Sequence, residues 1–326
     1  MNANSFTCCG KRTVLYPQYA APRIAEVLFA APLFRGFGVP CTPKERAFSS
    51  NQRRALLGPD PVIASVQAPN QHYLGSPGDP DRKIGYNWGI ALEYIDSELG
   101  WAARAGRFLQ PIESNGLALD SAFMQHYGDM VELEKSYTLF GQDGKVRLMG
   151  WRNKTRMGRF DDAIALGQAT GSAPDLSQVR KEHAKVGVGL SFEQKAGENL
   201  GLFARLNWSD DKTETYAFTE VGRNVSFGGL LKGTSWGRPN DVVGAAFSLN
   251  MLGPDHKAYL AAGGSGAFLG DGALNYGHER VLELFYSFQP VKGLTLSPDF
   301  QLIQNPGYNR DRGPAKFYGM RVHAEF

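Results

Sequence analysis

The chain has 326 residues, with 35 basic and 32 acidic side chains and a net charge of +3, so it carries no large field of one sign and nucleic acid is not implied as a partner. Mean hydropathy is −0.31, and no apolar run reaches the roughly 20 residues that a membrane helix needs. Helical spans are excluded, but barrel strands are not, because they alternate and escape hydropathy windows.

Aromatics make up 12% of the residues and there are 39 glycines, a mixture that favours strands and tight turns. Cys8, Cys9 and Cys41 have no partner at metal-site spacing and read as incidental. No cofactor is implied.

Residues 1–75 show no sustained period and are expected to be unstructured, or unrelated to the rest of the chain. Within them "AEVLFAAPLF" carries Glu26 and Pro32 and lacks a clean charged segment before it, so it makes a poor signal-peptide core. A misplaced gene start or a frame disruption would produce the same break.

From Lys83 the pattern changes. In "IGYNWGIALEY" Ile84, Tyr86, Trp88, Ile90, Leu92 and Tyr94 share one face, and Gly85, Asn87, Gly89, Ala91 and Glu93 the other. That is period two, the mark of a strand with different surroundings on its two faces. "KVGVGLSFE", "LGLFARLNW" and "LTLSPDFQL" repeat it. In the final stretch Tyr318, Met320, Val322, Ala324 and Phe326 alternate with Gly319, Arg321, His323 and Glu325.

About eleven such strands are expected, near 84–95, 98–108, 130–140, 144–154, 184–194, 200–209, 222–232, 241–251, 279–289, 293–303 and 315–326. Their connections alternate between short and long, as in an antiparallel meander with tight turns on one side and large loops on the other. One face is apolar throughout, while the other mixes glycine, serine and charge. A soluble sandwich would have to cover the large apolar face with a second sheet. Yet almost every strand shows that same face and the polar one is too rich in charge to be buried, so lipid outside and water inside is the simpler solution. Hence the expected fold is all-β, an antiparallel transmembrane β-barrel. An odd count cannot close such a barrel without leaving unpaired backbone groups in lipid, so either a strand is unread or an odd number of N-terminal strands is missing.

Several blocks resemble the carbohydrate-selective (OprB-type) porins of Gram-negative outer membranes. They are "GRFLQPIESNGLALD" (106–120), "GRFDDAIALGQATG" (158–171), "SWGRPNDVVGAAFSLN" (235–250), "AAGGSGAFLGDG" (261–272) and "DFQLIQNPGYNRDRGPAKFYGMRVHAEF" (299–326). The resemblance covers residues 83–326 and implies a sixteen-stranded barrel that passes sugars by diffusion, of which about five strands are wanting here. It also implies that Phe326, closing the outward rank of the last strand, is the signal read by the barrel assembly machinery. Outer-membrane lipid and small sugars are the implied partners, and the sequence does not choose between monomer and trimer.

A sugar offers C–H faces to aromatic rings and hydroxyls to charged groups. The polar face supplies candidates for the pore lining: Arg104, Glu132, Glu134, Arg147, Trp151, Glu193, Phe203, Arg205, Glu283, Asp299, Gln301 and Arg321. Mixed signs imply no strong ion selectivity. The stretch "RNKTRMGRFDDAIALG" is read as a long loop with a short helix. By the resemblance it is expected to fold into the lumen and set Arg152, Arg156 and Arg159 against carboxylates across the pore. The alternative is an outward-facing loop whose Arg–Asp pairs hold only its own shape.

Other patterns carry less. "GGSGAFLGDG" does not join a strand to a helix in a βαβ unit, which leaves a phosphate loop unsupported. Glu132 and Glu134 lie two apart on one strand, a poor arrangement for glycoside hydrolysis. The six histidines form no cluster. Besides the sugar porin, the sequence leaves open a porin for other solutes, a barrel enzyme acting on lipids and a fragment that never closes.

Overall fold

The computed structural model describes residues 11–12 and 24–30 as backbone alone, and residues 89–114, 116, 124–215, 220–266 and 269–325 in full. Most of residues 1–75, residues 84–88 of the first expected strand, and Phe326 with its expected assembly role lie outside the described residues.

Thirteen strands form one sheet in which each pairs antiparallel with the next. They are β1 Lys11–Arg12, β2 Ile24–Ala30, β3 Gly89–Asp96, β4 Trp101–Leu109, β5 Tyr127–Leu139, β6 Gln142–Met157, β7 Lys181–Ala196, β8 Leu200–Ser209, β9 Arg223–Lys232, β10 Val242–Met251, β11 Glu279–Val291, β12 Leu294–Gln304 and β13 Ala315–Ala324. β3 to β13 are the eleven strands expected from the alternation. β2 falls in the segment read as patternless, where seven residues containing Glu26 give too little alternation to recognise; it runs beside β3, with Ile24 opposite Ile95. Among the described residues no ladder joins β13 back to β1, and the sheet is open.

The period-two split is physical. Leu92, Val131, Leu148, Val188, Phe227 and Met320 stand exposed on the outer face, while Arg104, Glu134, Arg147, Glu193, Arg205 and Glu283 on the opposite face are buried against one another and their neighbours. This is the inverse of a soluble domain, and it arises when the solvent of the outer face is hydrocarbon. Among the described residues no helix is long and apolar enough to cross a membrane.

Connections alternate as expected. Five are short; the tight turn between β5 and β6 uses Gly141 at φ 73°, and that between β11 and β12 uses Gly293 at φ 84°, a left-handed conformation open to glycine at little cost. The long connections lie at the other end of the sheet. The one after β6 holds helix α1, Phe160–Thr170, with Asp161 and Asp162 at its positive N-terminus and Gly171 ending it at φ 69°. The one after β10 holds helix α2, Pro254–Ala261, with proline at its first position. These segments pack into a cap whose core is Phe160, Ala163, Leu176, Leu252, Tyr259, Leu260 and Tyr308.

Two strands differ from expectation in length. β6 and β7 are each 16 residues long, so β6 runs to Met157 and β7 starts at Lys181. The alternation becomes unreadable after Gly150 because the outward side chains turn from apolar to Arg152, Lys154 and Arg156, although the backbone ladder goes on.

On the inner wall aromatic rings lie over glycines directly opposite them. Trp151 faces Gly187, Phe203 faces Gly228 and Phe285 faces Gly244, and a Cβ at any of these glycines would overlap the ring. Gly150 faces outward with open space around it. Gly187→Val is therefore expected to destabilise the folded sheet by about 1–3 kcal/mol through overpacking. Gly150→Val should be neutral or mildly stabilising, and urea midpoints of the lipid-reconstituted protein distinguish the two.

Candidate functional site

The inward face of β3 to β7 carries a continuous ladder of alternating charge. Arg104 on β4 donates from Nε to Glu93 on β3 (2.6 Å), and from Nη1 to Glu132 (2.8 Å) and Glu134 (3.1 Å) on β5. Glu134 also accepts from Lys145 (2.9 Å) and from Arg147 Nε (2.6 Å) on β6. Arg147 Nη1 then donates to Glu193 on β7 at 2.5 Å. Strand pairing sets this up: Arg104 lies opposite both Glu93 and Glu132, and Glu134 opposite Arg147.

Arg104, Glu134, Arg147 and Glu193 are all buried. Each charge removed from water is answered by another within hydrogen-bonding distance, the condition under which a buried pair is tolerated. One guanidinium nitrogen of Arg104, one of Arg147 and one oxygen of Glu193 are buried without a protein partner.

The wall continues past the ladder with Phe203 on β8 and the guanidinium of Arg205 set 4.8 Å from the Phe203 ring centroid. Glu283, Asp299, Gln301 and Arg321 occupy inward positions on β11, β12 and β13. Trp151 lies flat over Gly187, two positions along β6 from Met149 and the ladder. The structure thus brings Arg104, Glu132, Glu134, Arg147 and Glu193 into one network, and sets the other lining candidates on the same face farther along the wall.

The three arginines of "RNKTRMGRF" require correction. Arg152 and Arg156 are not in a loop: they belong to β6 on the parity of Leu148, the outward face, and bond to Asp129 (2.7 Å) and Glu113 (2.7 Å). A one-residue offset in a strand reverses the face, so neither side chain is on the lumenal side of β6. Arg159 stands just before α1 and grips Asp161 two residues away, at 2.9 and 2.5 Å. For Arg159 and Asp161 the alternative of a pair that shapes its own loop is the one observed.

At the long-loop end a buried polar knot fixes the cap to the wall. Asp211, at φ 46° just beyond β8, accepts from the Gly253 amide (2.6 Å) and from Lys185 Nζ on β7 (3.2 Å). His256 Nδ1 lies 3.4 Å from the same carboxylate, and the imidazole stacks on Phe160 at 4.2 Å. Burial pushes the Asp211 carboxyl up, but Lys185 and His256 outweigh it and hold it well below the ordinary range. Glu214 accepts from the Gly158 amide (2.8 Å) and from Arg180 (2.7 and 3.0 Å), closing the base of α1. Burial also pushes the Tyr259 phenol up to about 12, and it donates to the Ser265 carbonyl at 2.9 Å.

Sequence reasoning did not single out Glu93 and Lys145, although both sit at register positions beside chosen residues. It had no signal for Asp211, Lys185 and His256, which meet where β7 and the connections after β8 and β10 come together, nor for Glu214 at the base of α1. Among the described residues no group of side chains is suited to a metal.

Residues 76–326 match the family description "Carbohydrate-selective porin, OprB family". The chain belongs to that family. Porin AaxA of Chlamydia abortus (strain DSM 27085 / S26/3) is 23% identical over 252 residues, which are 75% of this chain and 49% of that protein. A high-pH structure of Pseudomonas putida OprB superposes with a TM-score of 0.59 at 21% identity, covering 74% of this chain and 59% of that one. This OprB-family chain thus shares the porin barrel fold and spans about half the length of the curated relative it matches.

The ladder predicts a measurable cost. Arg147→Met should destabilise the sheet by about 3–5 kcal/mol, because Glu134 and Glu193 are left buried without it. Adding Glu193→Gln should recover part of that loss, which urea titration of the reconstituted protein measures as a double-mutant cycle.

The cap should respond to acid. Asp211 is depressed below its ordinary value of 3.8, so its contribution is whole above that pH and is lost as pH falls through the lower folded value. Hydrogen exchange of the Gly253 and α2 amides should accelerate below about pH 4. Asp211→Asn should bring the same acceleration to neutral pH.

Proposed function

We propose that this chain forms the lining of a passive outer-membrane channel for small sugars. The observation that carries the reading is the composition of the inward wall. Flat aromatic faces at Trp151, Phe203 and Phe285 stand beside a ladder in which three cations alternate with four carboxylates. A pyranose needs those two surfaces together, apolar for its ring C–H groups and hydrogen-bonding for its hydroxyls. Because the signs alternate, the wall offers no strong field to sort ions, which suits uncharged solutes.

In this reading Arg104, Glu134 and Arg147 hold the polar track together, and its more exposed members Glu93, Glu132 and Lys145 meet passing hydroxyls. Trp151 stacks on the sugar ring, and Arg205, Glu283, Asp299 and Arg321 extend the polar track toward β13. Arg152, Arg156 and Arg159 have no part in it. The family's carbohydrate selectivity supports the sugar, and the barrel fold supports diffusion without energy input. The outward rank Tyr318, Met320 and Val322 on β13, with Phe326 following in the sequence, is the segment that assembly machinery would read.

Swelling of liposomes carrying the protein tests the channel. Mono- and disaccharides should enter faster than amino acids of matched size. Trp151→Ala should slow the sugars severalfold while leaving the amino acids unchanged. Equal rates for all solutes in the parent protein would overturn sugar selectivity and leave a general porin.

A further inference from the structure

The ladder of β4, β5 and β6 continues beyond the apolar band at the long-loop end, and a cluster of cations faces outward there. On β5 the outward order is Tyr127, Asp129, Val131, Leu133; on β6 it is Leu148, Gly150, Arg152, Lys154; β4 contributes Arg107. Pairing sets Asp129 between Arg107 and Arg152, and Tyr127 opposite Lys154. Arg107 clasps Asp129 through Nε (2.6 Å) and Nη2 (3.0 Å), and Arg152 reaches the same carboxylate at 2.7 Å. Beneath them lies the Tyr127 ring, 8% exposed, with Arg107 at 4.0 Å, Arg152 at 5.2 Å and Lys154 at 6.0 Å from its centroid.

Two guanidinium groups therefore share one carboxylate, and the Lys154 ammonium beside the same ring adds a third positive charge. The next carboxylates toward the loops do not correct the surplus, since Glu113 is taken by Arg156 (2.7 Å) and Arg180 (3.7 Å), and Glu182 by His126 (2.9 Å). Hydrocarbon cannot hold such a cluster, and its parity turns it away from the lumen. Arg223 on β9, Arg280 on β11 and Lys316 on β13 point outward at the same end. The opposite end is mostly aromatic, with Trp101, Tyr137, Phe192, Tyr286 and Phe288 and the cation Lys135 over Trp101.

We propose that Arg107, Arg152 and Lys154 bind the phosphate of a phosphorylated lipid headgroup in the leaflet facing the long loops. Asp129 holds the two guanidinium groups side by side, Tyr127 forms their floor, and the N–H groups not turned to Asp129 donate to phosphate oxygens in a fork, Arg107 Nη1 exchanging its contact with Met124 Sδ (3.2 Å) for one of them. The inference rests on the transmembrane reading of the barrel and is independent of which solute crosses it.

The test uses the full chain in detergent micelles doped with a bisphosphorylated glycolipid or with its dephosphorylated counterpart, binding being read by native mass spectrometry. The phosphorylated lipid should bind at least about tenfold more tightly, the worth of one charge-assisted fork. Arg107→Gln/Arg152→Gln/Lys154→Gln should abolish the difference with β content unchanged by circular dichroism. Asp129→Asn, which frees the cations, should tighten binding, a gain that misfolding cannot mimic and that decides the matter if the triple variant fails to fold. Equal binding of the two lipids, or displacement by equimolar inorganic phosphate, overturns the proposal. So does a triple variant that changes oligomeric state while keeping the lipid, because the patch is then a subunit interface. Solute flux in the swelling assay is unaffected by these outcomes, so failure here is separable from failure of the sugar channel.

Discussion

A strand in hydrocarbon has no water to satisfy its backbone, so each N–H and C=O must find the strand beside it. That requirement fixes register along the whole of β3 to β13, and register decides which side chains meet. Arg104 reaches Glu93 and Glu132, and Arg147 reaches Glu134, because pairing has already placed them opposite one another. The charges in turn strengthen the wall that aligned them: buried beside partners they hold neighbouring strands together, and buried alone they would push them apart.

The same constraint explains the glycines of the inner wall. In the proposed channel the inner wall leaves little depth for side chains. Where Trp151, Phe203 and Phe285 lie flat, the facing residue has to vanish, and Gly187, Gly228 and Gly244 do so. These pairs supply smooth apolar surface without filling the channel. The ladder and the flat rings are thus two ways of covering one face, polar where strands are tied and apolar where rings lie over glycine.

Legibility in the sequence depends on distance along the chain. The eleven strands and the alternation of short and long connections can be read directly, since period two survives in every strand however the barrel is assembled. The inward parity of Arg104, Glu134, Arg147 and Glu283 comes with it. Which of these touch is not readable, because contact depends on register, and register is set by turns such as Phe140–Gly141 whose geometry is fixed only in the folded chain. Arg152 and Arg156 are misplaced by sequence reasoning for a related reason: their strand has passed beyond the lipid, so the apolar rank that marks a strand has ended. The knot at Asp211 leaves no trace, being assembled from β7 and the connections after β8 and β10.

The length of β6 and β7 has a consequence for how the rim is held. These strands run 16 residues, against 10 for β8, β9 and β10, and the extra length, at about 3.3 Å per residue, adds roughly 20 Å of ribbon along the strand axis. The rim is therefore oblique, raised like a collar on the side of β6 and β7 and low on the side of β8 to β10. The connections after β8 and β10 fold onto that raised ribbon, through Asp211 to Lys185, so the mouth of the proposed channel is braced from one side.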